Sequence, residues 1–437
     1  MPTMFILLPV AWFCILLWTM KRMRLFQTVD IPLRAWRIAF AVKVVAGIAL
    51  WALYTWYYSD RSTSDIYRYF DDASVMYNAL HKHPLHYLKM LTGIGGTDTD
   101  VQPYYDHMNN WYKGFNHNLY NDNRTIIRFN ALVMLVSFGY YHVHNVIINF
   151  VSLCGLVAVY KTFAADMPGR RWMLASVLVV IPSVLFWGSG VLKEGLVIFA
   201  LGMLIWHGRK LAVREGRIGS VMMVLAMIVL LVVSKVYVLL AVVPALIAYV
   251  IATVRTNSRV WLVYVCVLGV MTIAFANLGR VWPDYDLVTT IQGKQDDFFH
   301  MLEVEQAGSA IDLPVLEPTF TSLVRHTPRA WMNTLLWPFP WEIHTPLMWV
   351  TLFENILILL FAVAAFIWHE KPDRGRQNII GFCLCYSMTL LALIGLVTPV
   401  LGAIARYKIP AMPFFLILFL CIIAPAKLAA RFRSQVD

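Results

Sequence analysis

Apolar runs of roughly bilayer-spanning length recur from one end of this chain to the other, and they restrict its fold more than any other feature. A hydrocarbon layer about 30 Å thick takes roughly 17–25 such residues per helix, and only helices or closed barrels satisfy their own backbone groups inside it. Eleven runs qualify: 4–20, 38–58, 141–162, 172–189, 191–207, 219–234, 236–253, 260–279, 347–368, 378–397 and 408–424. With 59% hydrophobic and 14% charged residues over 437 positions, little is left for a water-soluble domain. The expectation is an all-α polytopic membrane protein, a single transmembrane domain over 1–437 with about eleven helices. Two long polar segments interrupt it, 59–140 and 280–346. No small-x-small cleavage site follows the first run, so that run reads as a retained helix.

Charge predicts the orientation. Segments 21–37, 161–171, 207–218, 254–259, 369–377 and the tail after 425 hold twenty Lys and Arg against six Asp and Glu. The positive-inside rule makes these segments cytoplasmic, with the N-terminus and both long polar segments outside and the C-terminus inside, as in a bacterial inner-membrane protein. Topology thus accounts for the net charge of +11, and no nucleic-acid partner is needed to explain it. Cys14, Cys154, Cys266, Cys383, Cys385 and Cys421 all fall in apolar runs without zinc-type spacing, and read as small buried hydrophobes. His81, His83 and His86 sit among Lys and Pro and read as a solvated loop rather than a metal site.

Shortly after the second run comes Asp65-Ile66-Tyr67-Arg68-Tyr69-Phe70-Asp71-Asp72-Ala73, three carboxylates in nine residues. Ser62 reads as a capping signal, and Ile66, Phe70, Ala73, Met76 or Tyr77, and Leu80 recur at helical spacing. The spacing predicts a surface helix whose polar face carries Asp65, Arg68 and Asp72. The helix dipole favours an acid in a first turn whatever the protein does, and the same dipole keeps Asp65 ionised, as a general base requires. Asp71 and Asp72 read as solvated partners, Asp72 beside Arg68. A second surface helix is expected over 126–138, since a full span there would reverse the charge bias of every later connector. The 280–346 segment has no fixed period and reads as loop with short helices. It closes on Trp337-Pro338-Phe339-Pro340-Trp341-Glu342, where proline bars regular helix and the aromatics favour an interface.

Cations gather on the same predicted side. Lys193 and Glu194 lie between two runs, where they either neutralise each other or leave Lys193 to face an anion. Lys235 marks another turn, and Arg406-Tyr407 precedes the last run. A single Lys or Arg at a helix end is commonly a snorkelling anchor; three at one level suit a lipid phosphate or diphosphate. Glu354 is an acid inside a span, a functional candidate by default, with Asn355 as its nearest bland partner.

Taken together, Asp65-Ile66-x-x-Tyr69-x-x-x-Ala73 and Arg406-Tyr407-Lys408-Ile409-Pro410-Ala411-Met412-Pro413, with the 182–195 stretch between them, resemble the GT-C superfamily of membrane glycosyltransferases. The relatives in question are the protein mannosyltransferases and the lipid A aminoarabinose transferases. Their first outer loop carries an Asp-Glu-x-x-Tyr-x-x-x-Ala type motif; Ile66 stands here where Glu is usual, so Asp71, Asp72 or an acid of 280–346 would have to serve as a second acid. The resemblance implies a polyprenyl-phosphate-linked sugar donor, a glycan, lipid or protein acceptor, and inverting transfer on the outer face. A polyprenyl phosphate leaves without protonation, so the protein must deprotonate the acceptor hydroxyl and stabilise the departing phosphate. The implied roles are base for Asp65 and phosphate binding for Arg406, Lys193 and Lys235, with Tyr69, Arg68, Glu194, Tyr407 and Glu342 as secondary candidates. No cofactor is implied with certainty, and a divalent metal stays open. The 308–342 tract also resembles bacterial exopolysaccharide membrane proteins, which keeps a repeat-unit polymerase using polyprenyl-diphosphate glycans as an alternative. A lipid-linked-sugar flippase or transporter is the alternative of another class.

Overall fold

The computed structural model describes residues 2–28, 30–58, 60–114, 119–305, 309–343 and 345–427. Gly308 and most of the basic tail after 425 lie outside these. Among the described residues the chain is all-helical without a strand; only isolated bridges, Ala310 to Val400 and His369 to Ile423, pair extended backbone. The α-helices are α1 Pro2–Arg22, α2 Leu33–Ala52, α3 Asp65–Lys82, α4 Pro84–Thr92, α5 Gln102–Tyr105, α6 Asn123–Ser137, α7 Tyr141–Phe163, α8 Arg171–Val180 and α9 Pro182–Phe186. They continue with α10 Lys193–Ala212, α11 Ile218–Val254, α12 Val260–Val281, α13 Leu287–Glu305, α14 Phe320–Leu335, α15 Pro346–Ile367, α16 Arg374–Val397, α17 Leu401–Tyr407 and α18 Met412–Ile422.

Among the described residues eight helices are long and apolar enough to cross a membrane: Met4–Arg22, Leu33–Tyr57, Tyr141–Asp166, Lys193–Ala212, Ile218–Val254, Val260–Val281, Met348–Ile367 and Arg374–Val397. Two more runs are bent pairs, α8 with Pro182–Ser189 at 62° and α17 with α18 at 61°, which raises the number to ten if each pair is one span. Proline explains both bends. Ile181 precedes Pro182 and leaves helical geometry (φ −56°, ψ 124°), and Pro410 and Pro413 follow α17. The expected eleven differs because runs 219–234 and 236–253 join in α11, a 37-residue helix broken only at Lys235 (φ −152°, ψ 83°). At 1.5 Å per residue α11 would measure about 55 Å if straight, nearly twice a hydrocarbon layer.

The chain divides into two compact units, 1–157 with 185–202 and 227–235, and 158–184 with 203–226 and 236–437. In the first, α3 packs on α4, α5 and α6, burying Ile66, Phe70, Ala73, Met76 and Ala79. The α6 helix is not among those apolar and long enough to span. The cap of α3 is Ser64, not Ser62: Ser62 belongs to a separate 3₁₀ turn capped by Asp60, whose Oδ1 accepts the Ser62 N–H at 2.9 Å — a local bond that the S-x-x-D pattern imitated for α3. Helices α7 and α10 meet through glycine, since a Cβ on Gly202 would stand 2.0 Å from the Gly155 carbonyl oxygen.

In the second unit the 280–346 segment forms α13 and α14, of 19 and 16 residues, rather than short helices. Both pack on α16, and Val288, Leu316, Leu323, Ala330 and Leu396 form one buried cluster. Their seam is made by small residues: a Cβ on Gly395 would meet the Ala330 carbonyl oxygen at 2.2 Å. Phe320, Leu323, Ala330 and Thr334 nevertheless recur at helical spacing along α14, so the segment does carry a helical period. The cysteines also divide, with Cys154, Cys383, Cys385 and Cys421 buried but Cys14 and Cys266 exposed.

Candidate functional site

The three acids of the 65–73 tract have three different surroundings. Asp65 is the first residue of α3, half-buried beside its cap Ser64. Asp71 takes a two-pronged bond from Arg61, Nε at 2.9 Å and Nη2 at 2.5 Å, and the same guanidinium covers the Tyr67 ring at 4.1 Å. Asp72 is not solvated, as its place on the polar face had suggested. It is fully buried and accepts the backbone N–H groups of Asn109 and Asn110 at 2.7 and 2.8 Å. Burial pushes its carboxyl above the usual range; these two bonds and the Arg68 charge offset the rise in part, and Asp71 adds to it. The reason for the reversal is tertiary. The 109–112 stretch folds over α3 and brings the N–H groups of Asn109 and Asn110, which the two Asp72 oxygens satisfy. Asp72 is therefore a structural anchor for that loop, and Arg68 acts on it through charge rather than through contact.

The second group forms where α3, α6 and the start of α10 meet. Lys193, the first residue of α10, is buried and donates to Asp122 Oδ2 at 2.5 Å and to Asn123 Oδ1 at 2.8 Å. Asn123 Oδ1 also accepts the hydroxyl of buried Tyr69 at 3.1 Å, and the Tyr69 ring lies 5.7 Å from the Lys193 ammonium. Asp122 Oδ1 in turn accepts from Lys113 at 2.5 Å. Burial raises the Asp122 carboxyl, but the Lys193 and Lys113 ammonium groups outweigh it and hold the group well below the usual carboxylate range. Beside this, Lys235 donates to Glu194 at 2.9 Å with both side chains almost wholly buried. Lys193 and Glu194 thus do not neutralise each other: consecutive helical residues point about 100° apart, and each finds its own partner. Neither Lys193 nor Lys235 is a snorkelling anchor, since both ammonium groups are held inside protein.

The same unit holds a lysine that the apolar runs concealed. Lys43 lies in the middle of α2, fully buried, and donates to the Gly188 carbonyl at 3.1 Å and the Ser189 hydroxyl at 3.0 Å. Asn149 Nδ2 reaches the Ser189 carbonyl at 2.8 Å, and Ser152 the Gly188 carbonyl at 3.3 Å. Side chains from two spanning helices here satisfy the carbonyls that end the short 3₁₀ turn Trp187–Ser189 before α10, as open carbonyls in an apolar surround require.

The remaining candidates belong to the second unit. Arg406 lies in the last turn of α17, half-buried, and Tyr407, which ends the helix, lies against the rings of Tyr237 and Phe298 at 6.4 and 6.3 Å. Glu342 accepts the Phe339 N–H at 3.2 Å and so closes the turn in the aromatic-proline tract. Glu354 does more than pair with its neighbour. Its Oε2 accepts the Ser183 N–H at 2.8 Å and its Oε1 lies 3.3 Å from the Lys408 ammonium, which also reaches Asn355 Oδ1 at 3.2 Å. Ser183 follows the first bend and Lys408 lies in the second, so one buried carboxylate ties both broken helices to α15.

Sequence reasoning missed Asp122, Asn123, Lys113 and Lys43. The polar run Asn121-Asp122-Asn123 ahead of an apolar stretch is a helix-start signal, and a lone lysine within a span is a functional signal in itself. Among the described residues no group of three or more His, Cys, Asp or Glu side chains is arranged to hold a metal ion. Comparison of the chain with protein-family models, with curated proteins and with solved structures finds nothing that matches it.

Proposed function

We propose that this protein is a membrane glycosyltransferase of GT-C type that moves a sugar from a polyprenyl-phosphate donor to an acceptor hydroxyl, with Asp65 as base. The observation that carries the reading is the shared oxygen of Asn123, which joins Tyr69 of α3 to Lys193 of α10. Tyr69 stands one helical turn after Asp65 in α3, which puts that half-buried acid on the side of the helix where Tyr69 meets the joint that holds Lys193. In the proposed reaction Asp65 takes the proton of the acceptor hydroxyl as its oxygen attacks the anomeric carbon. The carbon–oxygen bond to the lipid phosphate breaks with inversion, and the phosphate leaves with both bonding electrons toward Lys193. Arg406 enters on its sequence motif, as a further cation for a lipid phosphate.

The orientation belongs to the same proposal: N-terminus and polar segments outside, basic connectors and C-terminus cytoplasmic, in a bacterial inner membrane. Eleven crossings are part of the proposal: they count α11 twice across Lys235 and each bent pair once, where eight described helices, or ten with the bent pairs, are long and apolar enough to span. The test is transfer from a radiolabelled polyprenyl-phosphate sugar by protein in liposomes. Asp65→Asn and Arg406→Ala are expected to insert normally and lose transfer by at least a hundredfold; full activity of Asp65→Asn overturns the base assignment. Product length separates one added sugar from a polymer ladder.

One observation favours a second reading, a lipid-linked-sugar transporter. Broken helices meeting at a buried charge are the usual construction of membrane transport sites, and both bent pairs here meet Glu354. Uptake of a lipid-linked sugar into sealed vesicles without covalent transfer distinguishes it.

A further inference from the structure

Lys113, Asp122 and Lys193 form a bracket in which two ammonium groups close on the two different oxygens of one carboxylate, each at 2.5 Å. We infer that this bracket is an anion-exchange site: Asp122 occupies it as an internal ligand, and a phosphate group displaces that carboxylate to take both lysines. The inference rests on the reading of Lys193 as a phosphate-binding cation and adds Lys113 and Asp122 to it.

Charge, access and local structure all bear on the exchange. Two ammonium groups against one carboxylate leave the bracket positive, whereas a phosphate dianion matches both, with an oxygen for each. The bracket is open on one side only. The Lys113 and Asp122 side chains are 32% and 26% exposed, while Lys193 is 9% exposed, so a headgroup reaches it from the Lys113 side. The carboxylate is also free to leave without unwinding α6. Asp122 stands at the N-cap position of α6 but makes no side-chain cap bond, and the Asn123 N–H is taken by Asn121 Oδ1 at 3.1 Å. Asn123 Oδ1, at 2.8 Å, keeps Lys193 in place after Asp122 has gone. Lys235, the next cation, already has Glu194 as its partner at 2.9 Å and needs no second acid.

The test is anion binding by full-length protein in detergent micelles, with inorganic phosphate in one arm and a short polyprenyl monophosphate in the other. Asp122→Asn is expected to bind phosphate at least tenfold more tightly than the wild type, and Lys113→Gln at least tenfold more weakly. Tighter binding in both arms shows that the phosphate group alone suffices; tighter binding of the lipid alone identifies the lipid as the source. Unchanged or weaker binding by a folded Asp122→Asn protein in both arms overturns the inference. Should Asp122→Asn fail to fold, Lys113→Gln decides by itself, because it leaves the Asp122–Lys193 pair in place; unchanged affinity there rejects the exchange site. Absence of sugar transfer by the wild type, with the Asp122→Asn gain intact, rejects the enzyme reading and leaves the exchange site standing.

Discussion

The Glu354–Lys408 pair offers the sharpest test of the energetics, because both side chains are almost wholly buried and every partner has a known distance. Two unit charges 3.3 Å apart attract by about 5 kcal/mol at an effective dielectric constant of about 20, and that attraction offsets the cost of removing both from water. Lys408→Met leaves Glu354 as a buried anion held only by the Ser183 N–H, which is expected to cost about 3–5 kcal/mol. Glu354→Gln keeps an oxygen for that N–H but strands the ammonium among the neutral oxygens of Asn355 and Thr334, at a similar cost. The double variant Glu354→Gln/Lys408→Met removes both charges, keeps the acceptor and fills the volume with an apolar chain. It is expected within about 1–2 kcal/mol of the wild type, a coupling of several kcal/mol across the cycle. Equilibrium unfolding in mixed micelles, followed by tryptophan fluorescence, measures all four proteins. A loss below about 1 kcal/mol in Lys408→Met, or a double variant no more stable than the sum of the single losses, refutes the reasoning.

Other changes are expected to act through single, identifiable contacts. Asp72→Ala strands the buried N–H groups of Asn109 and Asn110 and should cost about 2–6 kcal/mol, with faster proteolysis of the 98–114 stretch as the local readout. Gly202→Ala places a methyl 2.0 Å from the Gly155 carbonyl oxygen, so α7 and α10 must separate; a clear drop in the thermal midpoint is expected, and none would mean that the helices do not meet there. Asp122 and Asp72 should give opposite pH responses. The Asp122 pKa is lowered on folding, so its contribution is complete above the unfolded value near 3.9 and is lost as pH falls below it; a stability profile of Asp122→Asn should lack that acid limb. The Asp72 pKa is raised, so its share is largest below that same unfolded value and declines as pH rises through the folded one, a decline that Asp72→Asn should remove.

Much of the fold was legible in the chain because lipid simplifies the reading. With no water to satisfy backbone groups, an apolar run of sufficient length has one stable conformation, and even the Val- and Ile-rich run of α11 becomes helix. The apolar face of α3 follows from a strict helical period, and proline marks the breaks at Ile181–Pro182 and around Pro410. Helix α14 was legible but passed over: Phe320, Leu323, Ala330 and Thr334 recur at helical spacing, and Leu323 and Ala330 lie in the buried cluster that also holds Leu396 of α16.

The charged residues separate what the sequence determined from what the tertiary structure decided. Composition and spacing determined which charges are anomalous: the tract at 65–72, Lys193, Glu194, Lys235 and Glu354 are too costly in so apolar a chain to be incidental. Partnership was decided only by packing. Asp72 is bound by N–H groups 37 and 38 positions away, Lys193 by an acid 71 positions away, and Lys408 lies beside a carboxylate more than fifty positions earlier. Charge attraction acts over ångströms in space and takes no account of separation along the chain. Sequence could therefore mark the groups that needed partners, while the fold alone assigned Asp122 to Lys193, Glu194 to Lys235 and Glu354 to both bends.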